Sequence, residues 1–304
     1  MRIALMSDAV WPTPLEGGHG LGRAVFNLGR ELVKRGHAVT LLGAEGSALA
    51  GARVWTVPGG GGFGHEPTMA RMVTEHAGEF DAFIDTSHTH ALANAHGRTL
   101  PGLAWFEDSA SAAAPCGVFV SAWTREQVEI AGEVVYNAIV PDEYPLYDGP
   151  RAGLLWMALN VPYKGQSTAR VVAQIAGMPL SVYGTGTTNG PLRGDAKIAA
   201  LQHAAAYLFT STGDAGPQTP LEAMACGTPV LALNRGGSPE YVRDGVNGWL
   251  CEDAHALANA ASEHAGKLNA TAIRQSVIDG GFTVERQADE MLALLARVIG
   301  GERW

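Results

Sequence analysis

The chain has 304 residues, 46% of them hydrophobic and 17% charged, with a formal net charge of −9 at pH 7. This length suffices for two domains of ordinary size, and the composition excludes disordered and collagen-like chains. Because the sequence contains no apolar run long enough to span a bilayer, we expect a protein that is neither exported nor membrane-spanning. Cys116, Cys226 and Cys251 show no metal-ligand spacing, and their odd number favours a cytoplasmic location.

The negative charge is concentrated in the first half. Residues 1–150 carry 9 Lys and Arg against 17 Asp and Glu, whereas residues 151–304 carry 12 and 13. A surface that binds nucleic acid needs a basic stripe that displaces counterions from phosphates. We therefore expect no nucleic-acid partner.

The first half alternates strands and helices. Residues 3–6 predict a strand, and after a Pro- and Gly-rich loop residues 21–34 predict a helix, which Gly36 should end. Further short apolar runs predict strands at 38–42, 54–57, 82–84, 102–105, 118–120 and 134–136. Such alternation is typical of a doubly wound parallel sheet.

A second series follows the cluster Pro141, Pro145 and Pro150, where we place the domain boundary. Strands are predicted at 154–157, 180–183, 206–209 and 229–233, with helices at 165–175, 196–204, 220–225 and 239–243 and a helical tail from 254. The predicted domains are therefore residues 1–145 and 146–304, each Rossmann-like.

Two glycine-rich loops precede helices and are candidate anion sites. The loop at residues 17–22 lies too far after the first strand for a dinucleotide fingerprint, and no P-loop sequence occurs anywhere. The loop at 210–219 follows a strand and opens a helix, with acids at Asp214 and Glu222. One interpretation makes Thr219 to Glu222 a capping box with Pro220 at the first helical position; the other makes the loop amides a diphosphate cradle.

The segment LEAMACGTPVLALNRGGSPEYVRDGVNGWL, within residues 205–252, resembles the signature region of the group-1, glycogen-synthase-like retaining glycosyltransferases. Other matching pieces occur in the family's order: PLEGGHGLGRAVFNLGRELVKRGHAVTLL, VYNAIVPDEY, KG at Lys164, and YGTG from Tyr183. This resemblance implies a GT-B fold, with two Rossmann-like domains that face each other across a cleft.

The resemblance also implies roles for residues of the second domain. Glu222 would hold the nucleotide ribose, and Asp214, where the family usually has Glu, would lie against the transferred sugar. Further donor-binding residues implied by the match are Lys164, Gly184, Gly216, Pro217, Gln218 and Thr219.

One cation of the family's diphosphate clamp is missing, because its Arg position falls on Leu159. The loss of one preorganised donor typically costs about 3–4 kcal/mol of barrier. Arg193 and Arg235 are two candidates to compensate. Glu240 matches a recurrent acid of the family but also fits a helix start at Ser238, so we interpret it as structural.

In the first domain, the resemblance implies that His88 or His90 lies near the donor sugar, with the register uncertain by two residues. Gly17 and Gly18 match paired glycines near the diphosphate and acceptor.

The predicted function is therefore the transfer of a sugar, with retention, from a nucleoside-diphosphate sugar to a hydroxyl of a small or soluble acceptor. Apart from this donor substrate we expect no cofactor, and no metal, because the sequence contains no D-x-D triplet. The acidic first half favours a neutral or cationic acceptor.

Two other functions stay open. Leu159 and Asp214 fit a catalytically impaired protein that binds nucleotide sugars, and twin doubly wound domains also occur in dehydrogenases, although the position of the first glycine loop argues against these.

Overall fold

The computed structural model describes residues 1–15, 20–60, 62–96, 99–106, 114–128 and 130–304. These residues divide into two compact units, Met1–Asn137 with Val284–Trp304, and Ala138–Thr283. The predicted candidates Gly17 and Gly18 lie outside the described residues.

The first unit is built on a parallel sheet. Its strands are β1 Arg2–Met6, β2 Ala38–Ala44, β3 Arg53–Val57, β4 Ala82–Asp85, β5 Gly102–Phe106, β6 Gly117–Phe119 and β7 Gly132–Val134. Its helices before residue 130 are α1 Gly20–Lys34, α2 Glu66–Glu75, α3 Ala91–His96 and α4 Ala122–Val128. Among the described residues the seven strands take the order β3-β2-β1-β4-β5-β6-β7. The central strands β4 and β5 are buried along their whole length, as expected for a parallel sheet covered on both faces.

Helix α1 shows how the local sequence forms these elements. Leu21, Val25, Leu28 and Leu32 recur at helical spacing and are buried, so one apolar stripe packs on the sheet. The helix ends where Gly36 adopts a φ of +83°, a left-handed conformation that glycine takes at little cost. The predicted helix and its C-terminal glycine are thus confirmed.

The second unit has its own parallel sheet. Its strands are β8 Leu154–Met157, β9 Leu180–Tyr183, β10 Ala206–Phe209, β11 Val230–Leu233 and β12 Gly248–Cys251. Its helices are α5 Gln166–Ala176, α6 Gly194–His203, α7 Gln218–Ala225, α8 Ser238–Tyr241, α9 Ala254–His264 and α10 Ala270–Asp279. The strand order in this part of the described chain is β12-β11-β10-β8-β9. Trp156, Val172, Leu208, Leu231 and Leu257 pack in its core.

Strand β12 was not among the predicted elements. It has only four residues and begins with Gly248, where an added Cβ would lie 1.8 Å from the carbonyl oxygen of Val230. Glycine is needed because the two strands approach closely, although glycine normally weakens a strand pattern.

The C-terminal helix α11, Val284–Ile299, belongs to the first unit. Arg35, directly after α1, donates through Nη1 to Asp289 at 2.5 Å and through Nη2 to the carbonyl of Glu285 at 2.7 Å. The division into units therefore differs from the predicted ranges at two points, since the chain enters the second unit at residue 138 and leaves it at 283. No helix within the described residues combines the length and the apolar character needed to cross a membrane.

Candidate functional site

The crossover in the second sheet places two loops beside each other. Chain order continues from β8 to β9 on one side of the sheet and from β10 to β12 on the other. The loops after β8 and β10 therefore leave in opposite directions, and ligands of open parallel sheets bind at such a switch point. Lys164 follows β8 and Asp214 follows β10, so two predicted residues meet at this position.

Lys164 and Asp214 form an ion pair between Nζ and Oδ2, with side chains only 19% and 18% exposed. Lys164 ends the short 3₁₀ turn Pro162–Lys164, after which Gly165 has a φ of +74°. A Cβ on Gly165 would lie 2.3 Å from the carbonyl oxygen of Thr210. The glycine thus lets the turn sit directly on the end of β10, which brings the lysine to the carboxylate.

Thr210 ties the two loops together, a role that the sequence pattern did not indicate. Its hydroxyl donates to the carbonyl of Gly165 at 2.8 Å and accepts from the indole nitrogen of Trp156 at 3.1 Å. Three residues before Thr210, the hydroxyl of Tyr207 on β10 donates to the carbonyl of Met157 at 2.7 Å. Burial raises the pKa of this phenol, so Tyr207 acts as a neutral donor.

Helix α7 begins at Gln218, directly after Pro217. The predicted capping box is therefore wrong, because Thr219 lies inside the first turn and Pro217 at the cap position has no side-chain acceptor. The backbone N–H groups at the start of α7 include those of Gln218 and Thr219, at the positive end of the helix dipole.

Glu222, on the second turn of α7, is buried among polar partners. Its Oε1 accepts from the hydroxyl of Tyr144 at 2.6 Å, and its Oε2 lies 2.5 Å from the ammonium of Lys197. Each oxygen of the carboxylate therefore contacts a residue that is distant in the sequence. Neither Tyr144 nor Lys197 belonged to the predicted site, since no local motif marks them.

The loop after β11 supports Asp214 from its other side. Gly236 has a φ of +60°, and a Cβ there would lie 2.6 Å from the carbonyl oxygen of Asp214. The next residue, Gly237, donates its N–H to the same oxygen at 2.9 Å. Asp214 is therefore held by contacts from the loops after both β8 and β11.

The residues considered for the missing clamp cation have surface positions. Leu159 is half exposed, Arg193 is exposed, and Arg235 pairs with Glu252 at 2.9 Å. Arg235 is thus already neutralised by a surface carboxylate.

Gly184 has a structural requirement of its own. It adopts a φ of +139°, and a Cβ would lie 1.7 Å from the carbonyl oxygen of Ala158. The chain after β9 therefore passes against the loop after β8, at the same edge of the sheet as Lys164.

In the first unit, the switch point lies between β1 and β4. Asp85 ends β4, and its buried carboxylate accepts from the hydroxyl of Ser87 at 2.6 Å and from the N–H groups of Leu92 and Ala93 at 2.9 and 3.0 Å. Burial raises the pKa of Asp85, although the charge of His90 and these hydrogen bonds oppose the shift. Asp85 thereby organises the turn that carries both candidate histidines.

The two histidines occupy different surroundings. His90 is buried with a φ of +46°, its Nδ1 lies 2.5 Å from the carbonyl oxygen of Ser87, and its ring packs edge-on against Phe106. The side chain of His88 is 28% exposed and stacks on Phe63, with ring centroids 4.3 Å apart. The two rings therefore have different packing partners.

Glu66, a residue missed by the sequence analysis, anchors His88. The fully buried carboxylate accepts from the backbone of His88 at 3.1 Å and from the hydroxyl of Thr89 at 2.6 Å, with the His88 ring 3.7 Å away. Burial alone would raise the pKa of Glu66, but the contacts from His88 and Thr89 outweigh it and lower the pKa. The carboxylate is therefore held ionised.

The family described as "Glycosyl transferases group 1" matches residues 164–265. This match covers about a third of the chain and is confined to the second unit. A D-inositol 3-phosphate glycosyltransferase of Mycobacterium marinum is 38% identical over 87 residues, which are 26% of this chain and 19% of that protein. The chain therefore aligns with about a fifth of the length of this relative.

Solved structures resemble the chain over its whole length. AviGT4, a glycosyltransferase involved in avilamycin A biosynthesis, has a TM-score of 0.81 at 21% identity, covering 100% of this chain and 99% of its own. HepE of Anabaena, in complex with UDP and glucose, has a TM-score of 0.71 at 17% identity, covering 97% and 99%. With the two parallel α/β units, these likenesses confirm the predicted GT-B fold.

The segment that matches the group 1 family contains the same residues that lie at the switch point of the second sheet. The matched segment begins at Lys164 and includes Asp214 and Glu222, which the fold gathers at the carboxyl edge of the second sheet. An ammonium, two carboxylates and the amides at a helix start form a set that suits a phosphorylated, hydroxyl-rich ligand.

Proposed function

We propose that this protein transfers a sugar from a nucleoside-diphosphate sugar to a hydroxyl of a small acceptor, without a metal and with retention of the anomeric configuration. The observation that carries the proposal is the placement of Lys164, Asp214 and the start of α7 at one switch point. The group 1 match and the UDP and glucose bound by HepE support it.

In this proposal Lys164 and the amides of Gly216 to Thr219 bind the diphosphate. Glu222 accepts hydrogen bonds from the ribose, and Asp214 accepts one from the transferred sugar. Gly184 lets the loop after β9 lie close to the donor. The charge that develops on the departing diphosphate is stabilised by groups already in place, which is where electrostatic catalysis acts.

The bond from the anomeric carbon to the diphosphate oxygen breaks, and the acceptor oxygen attacks on the same face. The acceptor proton passes to the departing phosphate, so no side-chain nucleophile is required. The family resemblance makes His88 or His90, together with Gly17 and Gly18, candidates for contact with the donor sugar and the acceptor. Metal independence rests on the lack of a D-x-D triplet in the sequence.

The test begins with calorimetry of UDP, GDP and ADP, followed by their sugar conjugates. The expected result is saturable binding of one nucleotide series, then transfer to an acceptor panel with product anomers assigned by proton NMR coupling constants. Transfer should persist in excess EDTA. The absence of binding to all three nucleotides would overturn the proposal.

A second candidate is a protein that binds nucleotide sugars but does not transfer them. Leu159, half exposed at the family's clamp position, favours it. Donor binding without transfer or donor hydrolysis would support this alternative, whereas turnover would reject it.

The acidic charge of residues 1–150 leads us to propose a neutral or cationic acceptor. Neutral acceptors should show little dependence of KM on ionic strength. A polyanionic acceptor with a steep salt dependence would contradict the proposal.

A further inference from the structure

The carboxylate of Glu222 has both oxygens engaged before any ligand binds. Tyr144 donates its hydroxyl to Oε1 at 2.6 Å, and the ammonium of Lys197 lies 2.5 Å from Oε2. The side chain of Glu222 is only 4% exposed. A carboxylate has about four lone-pair positions, so this arrangement leaves one acceptor position on each oxygen.

We propose that Lys197 and Tyr144 are positioning residues that orient Glu222 toward the 2′- and 3′-hydroxyls of a ribose, and that they make the site selective for ribonucleotides over deoxyribonucleotides. The inference rests on the proposed function and deepens it. Two oxygens fixed side by side match a vicinal diol, because each can accept one hydroxyl hydrogen.

Lys197 supplies a positive charge beside the buried carboxylate of Glu222. It lies on α6 with a side chain 25% exposed, so its ammonium is neither fully hydrated nor fully desolvated. Without this partner the buried carboxylate would lose the contact that fixes its orientation. The two oxygens would then no longer be held toward the diol, and the preference for the ribonucleotide would be lost.

Tyr144 is itself fixed relative to α7. Arg274 on α10 donates through Nη1 to the carbonyl of Tyr144 at 2.6 Å and to that of Ala225, the last residue of α7, at 2.7 Å. Its Nη2 donates to the carbonyl of Pro141 at 2.9 Å. One guanidinium therefore joins the segment that bears Tyr144 to the helix that bears Glu222, which holds the phenol in register with the carboxylate.

The experiment compares the affinities of UDP, GDP and ADP with those of dUDP, dGDP and dADP by calorimetry, in the pair that the wild-type protein binds. We expect the wild-type protein to prefer the ribonucleotide by about tenfold to a hundredfold, the range for a lost hydrogen bond to a charged group. Lys197→Met should bring this ratio close to one, and Tyr144→Phe should lower it by a smaller factor. Lys197→Arg, which retains the charge, should restore part of the preference.

Lys267→Met, at an exposed lysine of the same unit, is the matched control and should keep the wild-type ratio. A purely structural role for Lys197, or direct contact of its ammonium with phosphate, would weaken both nucleotides equally and preserve the ratio. Such a result, or equal affinities in the wild-type protein, would overturn the positioning role. Failure to bind any ribonucleotide would instead reject the proposed function.

Thermal melting of each variant checks that the fold survives the substitution. If Lys197→Met does not fold, the ratio in Tyr144→Phe decides alone, because that substitution removes one hydroxyl and keeps the ring. An unchanged ratio in Tyr144→Phe would then overturn the inference.

Discussion

The ion pair of Lys164 and Asp214 should contribute to the stability of the protein without a ligand, and breaking it tests this contribution. Both side chains are largely buried, and a pair in contact attracts by about 4 kcal/mol at an effective dielectric constant near 20. Desolvation offsets part of this gain, but removal of one partner leaves the other charge uncompensated. We expect Lys164→Met to lower the free energy of unfolding by about 2–3 kcal/mol.

The double-mutant cycle separates the pair from its surroundings. Asp214→Asn should also destabilise the protein, and the double variant Lys164→Met/Asp214→Asn should lose less than the sum of the single variants. The expected coupling is about 1–3 kcal/mol. Urea denaturation monitored by circular dichroism gives the free energies of unfolding of the wild-type protein, the two single variants and the double variant. Lys267→Met serves as an exposed control. Additivity within about 0.5 kcal/mol would refute the reasoning, because independent residues add.

The same variants report on the ligand. Lys164→Met should weaken binding of the cognate nucleoside diphosphate by about tenfold to a hundredfold, because a charged donor to phosphate is lost. Asp214→Asn should tighten it, because the ammonium no longer has a carboxylate that competes with phosphate. Unchanged affinity in Lys164→Met, measured by calorimetry, would remove this lysine from the binding site.

Three further predictions concern the supporting structure. Gly184→Ala should destabilise the protein by about 2 kcal/mol more than Gly190→Ala in urea denaturation, since both have a positive φ but only the first Cβ meets a carbonyl oxygen; equal losses would contradict the close approach. Because the pKa of Glu66 is lowered in the folded protein, its ionised form stabilises the fold above pH 4.5, the ordinary pKa of the group, and this contribution disappears as the pH falls through the folded value. The stability advantage of the wild-type protein over Glu66→Gln should therefore shrink below pH 4.5, and a constant difference from pH 3 to 7 would argue against it. Arg35→Met should speed amide hydrogen exchange in α11, because the contact to Asp289 is lost; unchanged exchange would show that apolar packing alone holds this helix.

Much of the second unit could be predicted from local sequence. The bounds of β8, β9 and β10 coincide with the predicted strands at 154–157, 180–183 and 206–209, because short apolar runs between turn residues are a local signal. Strand β12 was not predicted from the sequence, because its pairing with β11 outweighs the poor strand propensity of its first residue, Gly248. The packing of α11 on the first unit was not predicted, because periodicity indicates a helix but not the surface against which it packs.

Some residues of the candidate site are marked by a local sequence motif, and others are not. A motif within about ten residues marked Asp214 and Glu222, and a second short match marked Lys164. No such signal marked Glu66 or Lys197, since a buried acid at a helix start and a lysine within a helix are common in sequences.

The sequence by itself determined the class of fold and the identity of the charged groups, because periodicity and motifs are properties of neighbouring residues. Only the tertiary structure decided which of these groups touch. The contact between Lys164 and Asp214 joins residues 50 positions apart, and that between Tyr144 and Glu222 joins residues 78 apart. Such partners depend on where each strand ends and how its loop turns, which the packing of the whole sheet determines.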